Sequence, residues 1–184
     1  MANILDYLDW RGDLSFDERA FNEVDNLILT QLCFLDFSAL VPETFNGTGV
    51  VLTEAAARYF QLHPTTDLGV LVPSEIPQLL EKMAASRRFA QARLDGYVCH
   101  IDTKEEVQFA ALTILPGDGT AYIAFRGTDD TIVGWKEDCN LALMSTVPAQ
   151  AEAAALLTAD PLLEAPEHAL LEQQVQQMFE KAGA

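Results

Sequence analysis

Residues Tyr122–Asn140 read YIAFRGTDDTIVGWKEDCN, and this stretch decides the fold class. Tyr122-Ile123-Ala124-Phe125 is apolar, short and rich in strand formers, so it reads as a covered strand. Arg126-Gly127-Thr128 and the polar Asp129-Asp130-Thr131 form a turn. A helix carrying Trp135, Lys136, Glu137 and Asp138 is expected after it. A strand that ends in a Gly-containing turn and opens a helix aims backbone N–H groups at one point, where developing negative charge can be held. Upstream, Val107–Leu115 is a second strand-like run. The intervening Pro116-Gly117-Asp118-Gly119 is a strong reversal signal, so a hairpin returning through Ala121–Phe125 feeds the turn. Tyr97–Ile101 is a further strand, beginning after Gly96. Strands and helices in one chain make the class α/β.

The chain before Gly96 reads as mainly helical. Asn3–Trp10 suits a short amphipathic helix that Gly12 and Asp13 interrupt. Asn22 is a good N-cap with Asp25 three residues on. It precedes Val24, Leu27, Ile28, Leu32 and Leu35 at core-facing helical spacing. Thr53 is expected to cap a helix over Glu54–Leu62, ended by His63-Pro64. Ser74 is expected to cap the next helix, with Pro77 in its first turn and Ile76, Leu79, Leu80, Met83 and Ala84 on one face. Lys82, Arg87, Arg88 and Arg93 form the basic cluster of the chain. Arg87 and Arg88 are read as complementing the C-terminal end of the helix dipole. Phe45-Asn46-Gly47-Thr48-Gly49 is a loop without the spacing or lysine of a phosphate-binding turn.

Composition narrows the function classes. The 184 residues carry 28 acids against 11 bases, a formal charge of −17, which argues against nucleic acid or an anionic membrane as partner. A neutral ester or lipid-like small molecule is not excluded by it. The three cysteines, Cys33, Cys99 and Cys139, have no metal spacing, and their odd number makes a disulfide framework unexpected. Cys33 and Cys99 sit in apolar runs and are expected in the core. No signal peptide or membrane span is expected, and a reducing cytoplasm fits. No metal or cofactor motif is found.

Phe125-Arg126-Gly127-Thr128, followed by Trp135 and Asp138, resembles the oxyanion-side motif of the class 3 lipases, and more closely a bacterial lipase-like family of α/β-hydrolases. The start of the chain resembles the same family in Tyr7, Trp10-Arg11-Gly12-Asp13 and Phe21-Asn22-Glu23-Val24-Asp25. The resemblance implies that Gly127 and Thr128 belong to an oxyanion hole, Gly127 by allowing close approach and an unusual φ. It places Arg126, Trp135 and Asp138 at the flanks of the site. The local alternative is that Arg126 and Asp138 form a structural ion pair while Trp135 fills the core.

The Gly-x-Ser-x-Gly elbow that the family uses for its nucleophile is absent. Ser15, Ser38, Ser74, Ser86 and Ser145 all lack flanking glycines. Residues 1–157 therefore read as a partial hydrolase-like domain, an incomplete sheet with a helical N-terminal region (1–95 helical, 96–157 strands and turn). Residues 158–184 read as an acidic segment in which Glu167–Lys181 is helical. No catalytic residue is assigned. Cys139, which follows two acids, is a poor substitute nucleophile, and His63, His100 and His168 have no identifiable partner in the sequence. The expected function is that of a lipase-like hydrolase part inactive by itself. The alternative is a binding or regulatory protein that uses the oxyanion turn as a ligand pocket. The strand Ala121–Phe125, lacking a nucleophile-bearing neighbour, is expected to leave an open edge suited to self-association.

Overall fold

The computed structural model describes residues 3–65, 68–69, 72–102, 104, 107–127 and 146–159. The first two helices are built alike. Helix α1 (Ile4–Arg11) is capped by Asn3, whose side chain accepts from the amides of Leu5 and Asp6 while Asp6 accepts from the Asn3 amide. Helix α2 (Glu23–Gln31) repeats this capping box with Asn22 and Asp25, as the sequence predicts. Each box satisfies donors that a helix start leaves without partners. A 3₁₀ turn, Leu32–Phe34, follows α2 directly. Ile28, Leu29, Leu32 and Leu35 are fully buried, whereas Leu27, expected on the same face, is half exposed.

Helix α3 (Leu52–Leu62) buries Leu52, Ala55, Ala56 and Tyr59. Helix α4 (Ile76–Ala85) buries Ile76, Leu79, Leu80 and Met83. Both show the i, i+3, i+4, i+7 spacing of a helix with one covered face, and the two pack against each other. Two capping expectations are corrected. Thr53 lies inside α3, whose cap position is Val51 with no side-chain bond. The carbonyl of Ala92 takes the Leu52 amide at 2.8 Å, so the neighbouring chain does what a cap would do. Likewise Glu75, not Ser74, precedes α4, again without a side-chain cap.

The basic cluster is also corrected. Arg88 does not serve the end of α4. It turns inward and pairs with Asp25, both side chains being almost wholly buried. Its Nε donates to Asp25 at 2.7 Å, and its Nη2 donates to the other carboxylate oxygen. The remaining N–H groups go to the carbonyls of Leu14, Ser15, Arg19 and Ala20. Asp25 also accepts from Tyr7 Oη at 3.2 Å and from the Asn22 amide at 3.0 Å. A buried charge pair persists only when its remaining hydrogen-bonding capacity is met, and here it is met throughout. Phe16 lies over the guanidinium at 4.1 Å. Lys82 pairs with Asp9 and Arg87 with Glu18, and Arg93 donates to the carbonyl of Thr48 at 2.6 Å.

The sheet has four strands in the order β1 (Val50–Val51), β2 (Arg93–Asp102), β3 (Val107–Leu115) and β4 (Tyr122–Phe125), each pair antiparallel. Strand β2 starts before Gly96, earlier than the sequence suggested. Its register shifts between Asp95 and Val98. Gly96, at φ +56°, takes the left-handed conformation there, which glycine adopts without steric cost. The buried Asp95 beside it accepts the amides of Gly47 at 2.8 Å and Gly96 at 2.9 Å. The β3–β4 hairpin pairs Ile114 with Tyr122 and Ala111 with Phe125, as expected from the Asp118-Gly119 reversal.

Strand β3 is buried along nearly its whole length, because both faces of the sheet are covered. On one face Leu94, Tyr97, Leu112, Ile114 and Ala124 join the helices in the main core. On the other, Val107, Phe109 and Ala111 pack against Ala149, Ala153 and Leu156 of helix α5 (Pro148–Ala159). The result is a mixed α/β arrangement of helices, antiparallel sheet and helix. Cys33 is buried as expected, but Cys99 is exposed. Strand β1 pairs only with Arg93 and Leu94, so the outer part of β2, with the exposed Cys99 and the half-exposed Ile101, has no strand on that side among the described residues. Among the described residues no helix is long and apolar enough to cross a membrane.

Candidate functional site at the end of β4

The two described residues of the predicted turn, Arg126 and Gly127, continue directly from β4. The Arg126 amide donates to the Ala110 carbonyl at 2.9 Å, one step beyond the strand. The strand itself is tied to the helical layer on its core side. Cys33 Sγ donates to the carbonyl of Ala124 at 3.2 Å, and Tyr122 Oη bonds the side chain of Asn26. These contacts set the end of β4 against the 3₁₀ turn, so the direction in which the chain leaves at Gly127 is held by packing on one side.

Gly127 differs from expectation. Its φ lies outside the left-handed region, and a Cβ there would meet nothing within 4 Å among the described residues. Conformational freedom is therefore not the reason for glycine at this position. What the residue has is open space beside its backbone, which is the condition for an N–H to be approached by another group. Thr128, Trp135 and Asp138, the other expected site residues, and Cys139 lie outside the described residues, as does Glu167–Lys181.

The structure brings to this point residues that the sequence did not connect with it. Arg126 Nε and Nη2 are enclosed and find no acceptor among the described residues. Burial pushes the Cys33 thiol up to about 12, although the Arg126 charge and a backbone hydrogen bond act in the opposite sense. At that value it is a core residue and no nucleophile. Asp36 forms a local turn with Ser38, whose hydroxyl donates to Asp36 Oδ1 at 2.6 Å and whose amide donates at 3.0 Å. These bonds hold the Asp36 carboxyl below its ordinary range against partial burial, with the positive fields of His63 and Arg126 adding to them. Arg126 thus acts on Asp36 through its field, without an ion pair among the described residues, across 90 positions in a chain of 184 residues. No periodicity or local motif marks such an interaction.

Ser15, Ser86, His63 and His100 are engaged elsewhere. Ser15 donates to Glu18, and Ser86 donates to the Met83 carbonyl while accepting the Phe89 amide. His63 ends α3, with its ring stacked on Tyr59 at 4.5 Å between centroids. His100, without an identifiable partner in the sequence, is half exposed and lies 2.6 Å from Glu152 of α5. That carboxylate is 52 positions away, so no fixed offset could reveal it. Among the described residues neither histidine is hydrogen-bonded to a serine, and no cluster of three or more His, Cys, Asp and Glu is placed to hold a metal ion.

A protein-family model described as Mbeg1-like matches residues 83–165, a span that includes Arg88, strands β2 to β4, the turn and α5. No curated protein and no solved structure matches the chain.

Proposed function

We propose that this chain carries the oxyanion side of a lipase-like α/β-hydrolase site acting on carboxylic esters and, without a Gly-x-Ser-x-Gly elbow of its own, does not turn esters over by itself. The observation that supports the reading is the end of β4. A strand pinned on its core side by Cys33 and Asn26 runs into a glycine with open space at its Cα, beside an enclosed guanidinium. Donors fixed in advance around a point of developing negative charge are the physical content of an oxyanion hole. Loss of a triad nucleophile typically lowers turnover about a million-fold, leaving roughly a thousand-fold over water.

Two measurements test this. The purified chain should hydrolyse no short p-nitrophenyl ester and take no label from a fluorophosphonate probe. Titration with butyrate, a carboxylate mimic of the oxyanion, should shift the amide proton resonances of Gly127 and Thr128. Stoichiometric labelling of any serine overturns the inactive reading, and unmoved Gly127 and Thr128 amides overturn the oxyanion assignment.

A further inference from the structure

We propose a second, separate binding site: the cavity between α1 and the 14–22 segment, in which Arg11 and Arg19 hold the phosphate group of a small phosphomonoester. The cavity has a volume of about 500 Å³ and is lined by Tyr7, Arg11, Leu14, Arg19, Asn22 and Arg88, with Ala20 at its wall. Three of the chain's arginines therefore face one space in a protein whose formal charge is −17. They are not equivalent. Arg88 is fully used, its charge answered by Asp25 and its N–H groups taken by that carboxylate and four carbonyls. Arg11 and Arg19 are exposed and make no ion pair among the described residues.

The surroundings keep the two guanidinium groups available. Glu18 is engaged by Ser15 and Arg87, and Asp25 by Arg88, so both of these acids are committed. Asp17 and Glu23 do not line the cavity. The backbone that carries Arg19 is pre-set, because Arg88 Nη1 takes the Arg19 carbonyl at 3.0 Å and Nη2 takes that of Ala20 at 3.2 Å. Arg11 is held on the last turn of a capped helix. Asn22 gives one amide hydrogen to Tyr7 Oη at 2.8 Å and keeps a second donor. Two guanidinium forks and one amide donor suit the several oxygens of a phosphate dianion better than a single carboxylate.

The test is calorimetric titration of the full chain with phenyl phosphate at low salt, alongside R11Q, R19Q and the surface control R58Q, whose partner is Glu54 on α3. Loss of one charge-assisted contact should weaken binding at least about tenfold in R11Q and in R19Q. R58Q should bind like the parent, and added salt should weaken all. Both arginines are exposed, so thermal melts of the variants should superimpose on the parent. The proposal is overturned if the parent chain does not bind phenyl phosphate at millimolar concentration, if R11Q and R19Q bind undiminished, or if benzoate binds as tightly as phenyl phosphate.

Discussion

Replacing Arg88 with methionine removes the one cation that answers the buried carboxylate of Asp25. Both side chains are almost wholly withdrawn from solvent. The substitution would leave Asp25 with the hydroxyl of Tyr7 and the amide of Asn22 as its partners. It would also release the carbonyls of Leu14, Ser15, Arg19 and Ala20. Breaking a buried pair from one side costs about 3–5 kcal/mol, because an uncompensated charge stays behind. Asp25→Leu leaves Arg88 stranded in the same way and also removes half of a capping box, adding about 1 kcal/mol. Against a total stability of about 5–15 kcal/mol, either loss is severe. The double variant Asp25→Leu/Arg88→Met removes both charges and should lose at least about 2 kcal/mol less than the sum of the singles. Urea unfolding of the four proteins, extrapolated to water with comparable slopes, measures each term. Single substitutions costing below about 1 kcal/mol, or singles that simply add in the double, would refute the assignment of this pair as the centre of the N-terminal packing.

Phe37 lies buried between Tyr59 and Tyr97, with ring centroids 5.7 and 5.8 Å away, so Phe37→Ala should cost about 3–5 kcal/mol in the same urea assay. Cys99 should react rapidly with a thiol reagent in the folded chain and Cys33 should not, as read by mass mapping of labelled peptides. Because the folded Cys33 thiol keeps its proton to about 12 while an unfolded one ionises near about 8.5, its contribution is fully present below that lower value. It is lost as pH rises towards the upper one, at up to about 1.4 kcal/mol per pH unit, and Cys33→Ala should remove this slope from the stability profile. Strand β4 is paired on one side only among the described residues, and salt screens the repulsion of a −17 chain. Light scattering should therefore show association rising with salt, and a strict monomer throughout would rule out an open edge.

What was legible in the sequence was local. Asn22 and Asp25 announce a helix start because a capping box spans three residues. Ile76, Leu79, Leu80 and Met83 announce a covered face because one helix repeats its own geometry. Asp118-Gly119 announces the hairpin. What escaped was set by distant partners. The role of Arg88 depends on Asp25, and that of His100 on Glu152. Thr53 loses the capping role because Ala92 arrives beside Leu52. Cys99 looked like core because its neighbours are apolar, yet it lies on the part of β2 that β1 does not reach. At the candidate site, Arg126 and Gly127 were found from the motif, while Cys33, which ties the end of β4 to the helical layer, carries no local signal that points there.

The Asp25–Arg88 contact also has a meaning in time. The two residues are 63 positions apart. A ribosome adding about 5–20 residues per second needs roughly 3–13 s to extend the chain from one to the other. During that interval the stretches that become α1 and α2, 8 and 9 residues long and too short to be stable helices alone, have no counter-ion for Asp25, and the segment from Leu14 to Ala20 has nothing to wind around. Native docking of the first quarter of the molecule thus waits for the middle. The charge that would be most costly to bury alone keeps that early segment in water until its counter-ion has been made.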